Sequence, residues 1–166
     1  DSPPKHFDKP WAATGKPASR GPVVIHSLIL EPEDLERHVQ DLFRKFDKMK
    51  EKEQRSELFL MDDNPAITLC AYGTTARICK SAARELRRQG IAVGLFRPIT
   101  AWPFPDDSLE SIVESTRLFL SIEMSMGQMV QDVSAVVRGR RPVHFWGRTG
   151  GMVPTVEEIV AKVKEE

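Results

Sequence analysis

Apolar and polar positions divide this chain into three stretches of different character. Over residues 31–56 apolar side chains recur at Leu35, Val39, Leu42, Phe43, Phe46 and Met49, a thin helical stripe in a segment otherwise dominated by charge. Pro32 suits the first helical position. Glu33, Asp34 and Glu36 come early and Lys45, Lys48 and Lys50 late, as the helix dipole prefers. A stripe this thin predicts a charged amphipathic helix that covers something rather than a core of its own. From residue 57 to 166 short apolar runs alternate with amphipathic segments. Ala66–Tyr72, Ile91–Phe96, Arg117–Ile122 and Pro142–Trp146 read as strands, and 57–61 as an added edge strand. Between them the pattern predicts helices from about Thr75 to Gln89, over 106–115 and over 128–138. The last helix opens on a capping box, Thr155 to Glu158. Strands alternating with helices imply an α/β fold whose parallel sheet is covered on both faces. Residues 1–30 show no such period. They hold five prolines and Trp11, and read as a linker or leader that travels over a neighbouring surface.

Composition narrows the function classes. Lys and Arg number 24 against 24 Asp and Glu, so the formal charge is zero, which argues against a nucleic-acid binder. No apolar run approaches a membrane span. Cys70 and Cys79 make neither a disulfide framework nor a CxxC pair, which suits a reducing, cytoplasmic setting. The start, Asp1 to Lys5, is charged and Pro-rich, unlike a signal peptide. With no initiating Met, the chain is expected to be a piece of a longer polypeptide.

In an open α/β sheet, ligands bind beyond the carboxyl ends of the strands. Three loops there lead into helix N-termini and contain glycine: 72–75, 123–127 and 147–151. Their backbone N–H groups make Thr74, Thr75, Gly127, Arg148, Gly150 and Gly151 candidates for contact with an anion. The alternative is a set of tight turns and helix caps, since neither GxGxxG nor a P-loop is present. Glu123 closes a buried strand. It is either an acid or base with a raised pKa or a structural carboxylate satisfied by hydrogen bonds, and the lack of a His, Cys or acid partner favours the second. The four histidines are scattered without metal-ligand spacing, no metal site is expected, and no thiamine-type GDG…N signature occurs. No catalytic residue is assigned. Arg77, Lys80, Arg84 and Arg87 form a basic stripe, either a solvated face or a docking strip. Trp11, and Trp102 and Phe104 in the Pro-rich loop 97–105, are candidate contact aromatics. For the loop, packing back on its own short helix is the alternative.

Four segments carry a resemblance: AYGTTARICKSA (71–82), GLFRPITAWPFP (94–105), SIEMSMGQMVQDV (121–133) and HFWGRTGGMVPTVEEI (144–159). Together they resemble the alpha subunit of 2-oxoacid:ferredoxin oxidoreductases, most closely the branched-chain (2-oxoisovalerate) type and next the 2-oxoglutarate type. The leader, Lys9 to Gly15 and Ser27 to Glu33, is similar to the segment joining that subunit's two domains. The resemblance implies a transketolase C-terminal-like domain: a three-layer α/β/α sandwich on a mostly parallel five-stranded sheet with one antiparallel edge strand. The implied strand order is 57–61, 91–96, 66–72, 117–122, 142–146. It implies oxidative decarboxylation of a 2-oxoacid to acyl-CoA and carbon dioxide, with electrons passed to ferredoxin. The whole enzyme would use thiamine diphosphate, Mg2+, iron–sulfur clusters and coenzyme A. Its partners would be a preceding pyrimidine-type domain, the beta subunit and gamma/delta subunits. Cofactor- and substrate-binding residues of the family lie outside this segment, so none is carried over, and an accessory, assembly-promoting domain is expected. The competing readings are the C-terminal domain of another thiamine enzyme, of transketolase or dehydrogenase E1 beta type, and a non-catalytic anion-binding or docking module.

Overall fold

Leu118, Leu120 and Ile122 alternate with Phe119 and Ser121 along one strand, and all are buried, so the strand is covered on both faces. The computed structural model describes residues 6–12, 15 and 18–166. Residues 1–5, 13–14 and 16–17 of the leader lie outside the described set. The chain divides into two units, Asp1–Leu42 and Phe43–Glu166.

The second unit carries the sheet: β1 (Ser56–Phe59), β2 (Ile67–Cys70), β3 (Val93–Pro98), β4 (Leu118–Glu123) and β5 (Val143–Gly147). Their order is β1-β3-β2-β4-β5, with β1 antiparallel to β3 and every other pair parallel. This is the expected order and the expected antiparallel edge. Strand direction of travel reverses between β2 and β4, which makes their carboxyl ends the topological switch point. α1 (Pro32–Lys52) precedes the sheet, with Glu33 and Asp34 in its first turn and Lys50 and Lys52 in its last.

Period-2 alternation splits the core into two clusters. Ile67, Leu69, Val93, Leu95, Leu118, Leu120 and Ile122 face α2 (Gly73–Arg88) and α5 (Val156–Glu165). Cys70, Phe96 and Phe119 face α3 (Asp106–Val113) and α4 (Met129–Val137). Each fully buried Leu, Ile or Phe contributes about 1.5–3 kcal/mol relative to exposure. α2 keeps Ala76, Ala82 and Ala83 on its inner face, so its backbone lies close to the sheet.

Element ends shift by one to three residues from the sequence pattern. α2 starts at Gly73 rather than near Thr75. β1 ends at Phe59 because Leu60 takes a left-handed backbone (φ 56), which turns the chain across β3. There Gly94 permits close approach: a Cβ would lie 2.1 Å from Met61 Sδ and 2.9 Å from the Leu60 carbonyl oxygen. Among the described residues, no helix is long and apolar enough to cross a membrane.

Candidate functional site

Four loops meet at the carboxyl end of the parallel strands, and the helix starts they feed are not all satisfied alike. Glu123, the last residue of β4, is 1% exposed. Its carboxylate accepts hydrogen bonds from Ser121 Oγ (2.9 Å) and Ser125 Oγ (2.8 Å). It also accepts from the backbone N–H groups of Gln128 (2.9 Å), Met129 (3.0 Å) and Val130 (2.9 Å). The first turn of α4 is thus occupied by the protein's own anion. Burial pushes the Glu123 pKa up, but these donors outweigh burial and hold it below its ordinary value. Of the two readings open from the sequence, the favoured one fits: Glu123 is a structural carboxylate, and its five donors, not a raised pKa, set its state, making it a poor proton donor. Gly127 (φ 98) forms the turn that aims those N–H groups, with its own N–H 3.3 Å from Ser125 Oγ.

α5 is closed as well. Thr155 and Glu158 form the capping box, and the Arg148 guanidinium is bound to the same Glu158. Gly150 (φ 64) and Gly151 (φ 83) shape the turn that brings Met152 N–H to the Thr149 carbonyl at 3.1 Å. Arg148 is therefore tied to a helix cap, and Gly150 and Gly151 shape the turn that precedes it. α2 differs from both. Its N-cap, Tyr72, makes no side-chain cap bond, and no acid lies in the first turn. Thr75 is buried and Thr74 exposed.

Beside that helix start lies a cleft of about 390 Å³ at the switch point. Tyr72, Gly73, Ile99, Phe104 and Met129 give it an apolar body, and Arg97 and Asp132 its charges. Neither Thr74 nor Thr75 lines it. Arg97 is held by Glu57 (2.9 Å), which also binds Lys80. Hydrogen bonds from Lys80 and Arg97 hold the Glu57 pKa down. Burial, and then the charge of Glu123, raise the pKa of Asp132. A second cavity of about 610 Å³ shares Phe104 and Asp132 and adds Trp102, Asp106 and Lys50.

The contact aromatics fare differently from one another. Phe104 packs edge-on against Phe96 (5.9 Å) and rests on the core, so it is a wall of the cleft. Trp102 is 51% exposed, with its ring edge-on to Phe46 of α1 at 5.4 Å. Trp11, in the first unit, is exposed. Of the basic stripe, Lys80 and Arg84 lie over the Phe59 ring (5.2 and 5.0 Å). Arg87 holds Asp63 in a fork (2.6 and 2.7 Å) and bonds the Leu60 and Val93 carbonyls. Most of the stripe thus fastens the β1 edge.

Sequence reading missed Asp132 and Met129 as cleft residues. Their signal was available: Gln128 and Asp132 stand i, i+4 on the helix that follows the switch-point strand. The arrangement brings together no nucleophile with a base, and among the described residues no three His, Cys, Asp or Glu side chains could share a metal ion. What it offers is an apolar recess with one fixed guanidinium and one carboxylate.

Residues 66–159 match the family model described as pyruvate:ferredoxin oxidoreductase core domain II. Over 158 residues, 95% of this chain, the sequence is 35% identical to ketoisovalerate oxidoreductase subunit VorB of Methanothermobacter thermautotrophicus, 44% of which is covered. The 2-oxoglutarate synthase subunit KorA of Methanothermobacter marburgensis is 33% identical over 101 residues, 61% of this chain and 27% of that protein. A 2-oxoglutarate:ferredoxin oxidoreductase from Magnetococcus marinus, solved with 2-oxoglutarate, coenzyme A and succinyl-CoA bound, has a similar fold. Its TM-score is 0.65 at 20% identity, over 81% of this chain and 23% of that one. A split-gene transketolase, an inactive beta4 tetramer, gives 0.56 at 19% identity, over 67% of this chain and 40% of that one. The chain spans less than half the length of the curated relatives it matches.

Proposed function

Because the chain belongs to the pyruvate:ferredoxin oxidoreductase core domain II family, we propose that it serves as an accessory, assembly-promoting domain of a thiamine-diphosphate-dependent 2-oxoacid:ferredoxin oxidoreductase. The whole enzyme would convert a 2-oxoacid to acyl-CoA and carbon dioxide and reduce ferredoxin. A branched-chain substrate such as 2-oxoisovalerate is favoured, since the VorB similarity extends over 95% of the chain and the KorA similarities over 60–78%. In this reading residues 1–30 are a leader, 31–56 a covering helix and 57–166 the transketolase C-terminal-like domain. The other contributors are a pyrimidine-type domain, a beta subunit and gamma/delta subunits.

Two of the cofactors the family implies, an iron–sulfur cluster and thiamine diphosphate, do not fit this chain's described residues. An iron–sulfur cluster needs four thiolates, whereas the two cysteines here are both buried in the core. Thiamine diphosphate needs an anion cradle with a metal-ligand set: Glu123 and Glu158 fill the α4 and α5 starts, and the open α2 start has no metal-ligand cluster beside it among the described residues. No catalytic step is assigned to this chain. The observation that carries the assembly role is the exposure of large apolar side chains on all four carboxyl-end loops. Tyr72, Ile99, Trp102, Met124, Met126, Met152 and Val153 are each at least 41% exposed.

Trp102→Ala tests this role. In the isolated chain it should leave the thermal midpoint nearly unchanged. In the whole enzyme it should weaken subunit association, as truncating a contact aromatic costs about 2 kcal/mol or more. Unfolding of the isolated domain, or undisturbed assembly, would refute the contact reading. Supplied with 2-oxoisovalerate, thiamine diphosphate, Mg2+, coenzyme A and ferredoxin, the isolated chain should release no carbon dioxide above background.

A further inference from the structure

Val23 to Leu30 reads VVIHSLIL: six of its eight residues are apolar, four are β-branched, and none is Asp, Glu, Lys or Arg. This is the composition of a strand rather than a helix. At about 3.3 Å per residue the run spans about 26 Å, an ordinary strand length, and prolines at 22 and 32 bracket it. Yet over 21–30 the backbone is neither helix nor strand. Among the described residues, no N–H or carbonyl from Val23 to Leu30 has a hydrogen-bond partner. Val23, Val24, Ile25, Leu28 and Leu30 are 48–77% exposed.

Two features decide what covers this run. Val23, Ile25 and Ile29 fall on one face of an extended chain and Val24, Leu28 and Leu30 on the other, so both faces need apolar cover. A groove that took side chains alone would cover one face and leave the backbone polar groups in an apolar contact without partners. The edge of a covered β-sheet supplies both needs: backbone partners along one side, and apolar layers above and below.

We propose that residues 23–30 are a strand without a sheet of their own, and that they add to the open edge of a β-sheet in a partner subunit. Pro22 and Pro32, which lack an N–H, bound the ladder at its two ends. The inference rests on the assembly role above and gives that role a contact made by backbone as well as side chains.

Hydrogen exchange at single-residue resolution tests this, on the 166-residue chain alone and on the whole enzyme purified after co-expression of its subunits. In the chain alone, the amides from Val23 to Leu30 should exchange as in an unstructured peptide. In the whole enzyme one alternate set should slow by roughly 100-fold or more, either Val23, Ile25, Ser27 and Ile29 or Val24, His26, Leu28 and Leu30. An edge strand turns every second N–H to its neighbour. Val24→Pro and Ile25→Pro separate a ladder from plain apolar contact. Only the proline whose lost N–H faced the partner should weaken subunit association, by about tenfold, and neither should move the thermal midpoint of the chain alone. Equal effects of the two prolines, protection already present in the chain alone, or unslowed exchange in an assembled enzyme would overturn the strand and leave the assembly role standing. Failure of the chain to join any partner subunit would overturn both.

Discussion

Glu123→Gln removes one charge and changes almost no volume, so it isolates what the carboxylate does at the start of α4. In the native protein Oε1 accepts from Ser121 and Val130, and Oε2 from Ser125, Gln128 and Met129. A glutamine keeps one acceptor oxygen. If that oxygen takes the Oε2 place, the amide nitrogen faces the Val130 N–H, donor against donor. The Ser121 hydroxyl can rotate to accept, but the Val130 N–H cannot. One partly buried N–H left unpaired costs up to about 1–3 kcal/mol. The lost anion at the helix N-terminus adds about 0.3–1 kcal/mol, or more in a buried geometry. The sum is about 3 kcal/mol, or a fall of roughly 6–12 °C in thermal midpoint for a chain of this size. Urea unfolding at neutral pH, followed by circular dichroism, should show the lower midpoint with an unchanged slope. The pH dependence has a definite sign. The folded pKa of Glu123 lies below its ordinary 4.5, so its contribution is complete above that value and is lost as pH falls through the folded pKa. Wild type and variant should therefore converge in acid. A difference under about 1 kcal/mol at neutral pH, or a gap that persists in acid, would refute the reasoning.

Two further outcomes follow from the packing. Gly94→Ala should destabilise by about 1–3 kcal/mol, because its methyl meets the Leu60 carbonyl as well as the movable Met61 side chain; urea titration reads this directly. Cys70 and Cys79 should resist a thiol reagent in the native state and react only on unfolding. Burial pushes the Cys79 pKa to about 12 and raises that of Cys70, first by burial and then by the neighbouring Cys79 and Glu123.

The sheet was legible because its signals are local. Five short runs such as Leu118–Ile122 carry their own period, and Thr155 with Glu158 announces a helix start within four residues. The state of the helix starts was less so. Glu123 stands between Ser121 and Ser125, a pattern open to reading, but the sign of its pKa depends on how many N–H groups converge on it. That count is a property of the folded turn. The basic stripe misleads for a related reason. Helical spacing correctly placed Lys80, Arg84 and Arg87 on one face. Their partners Glu57, Phe59 and Asp63 lie more than twenty residues away, on the far side of a turn no local rule connects to them. The cleft draws on three loops and a helix, so its composition emerges only when the strand order is known.

The division of the interior by the sheet has a consequence for how this domain can change. No buried side chain belongs to both clusters: Leu69 and Leu120 look one way, Cys70 and Phe119 the other. Two of the cleft walls, Phe104 and Met129, rest on the α3–α4 side. Substitutions at these two walls therefore load one layer, and effects at separated sites tend to add rather than compound. The α2–α5 layer, with its closely packed alanines, acts as an independent reserve of stability. A library randomised only at cleft-side positions should keep folding far more often than one of equal size spread over both layers.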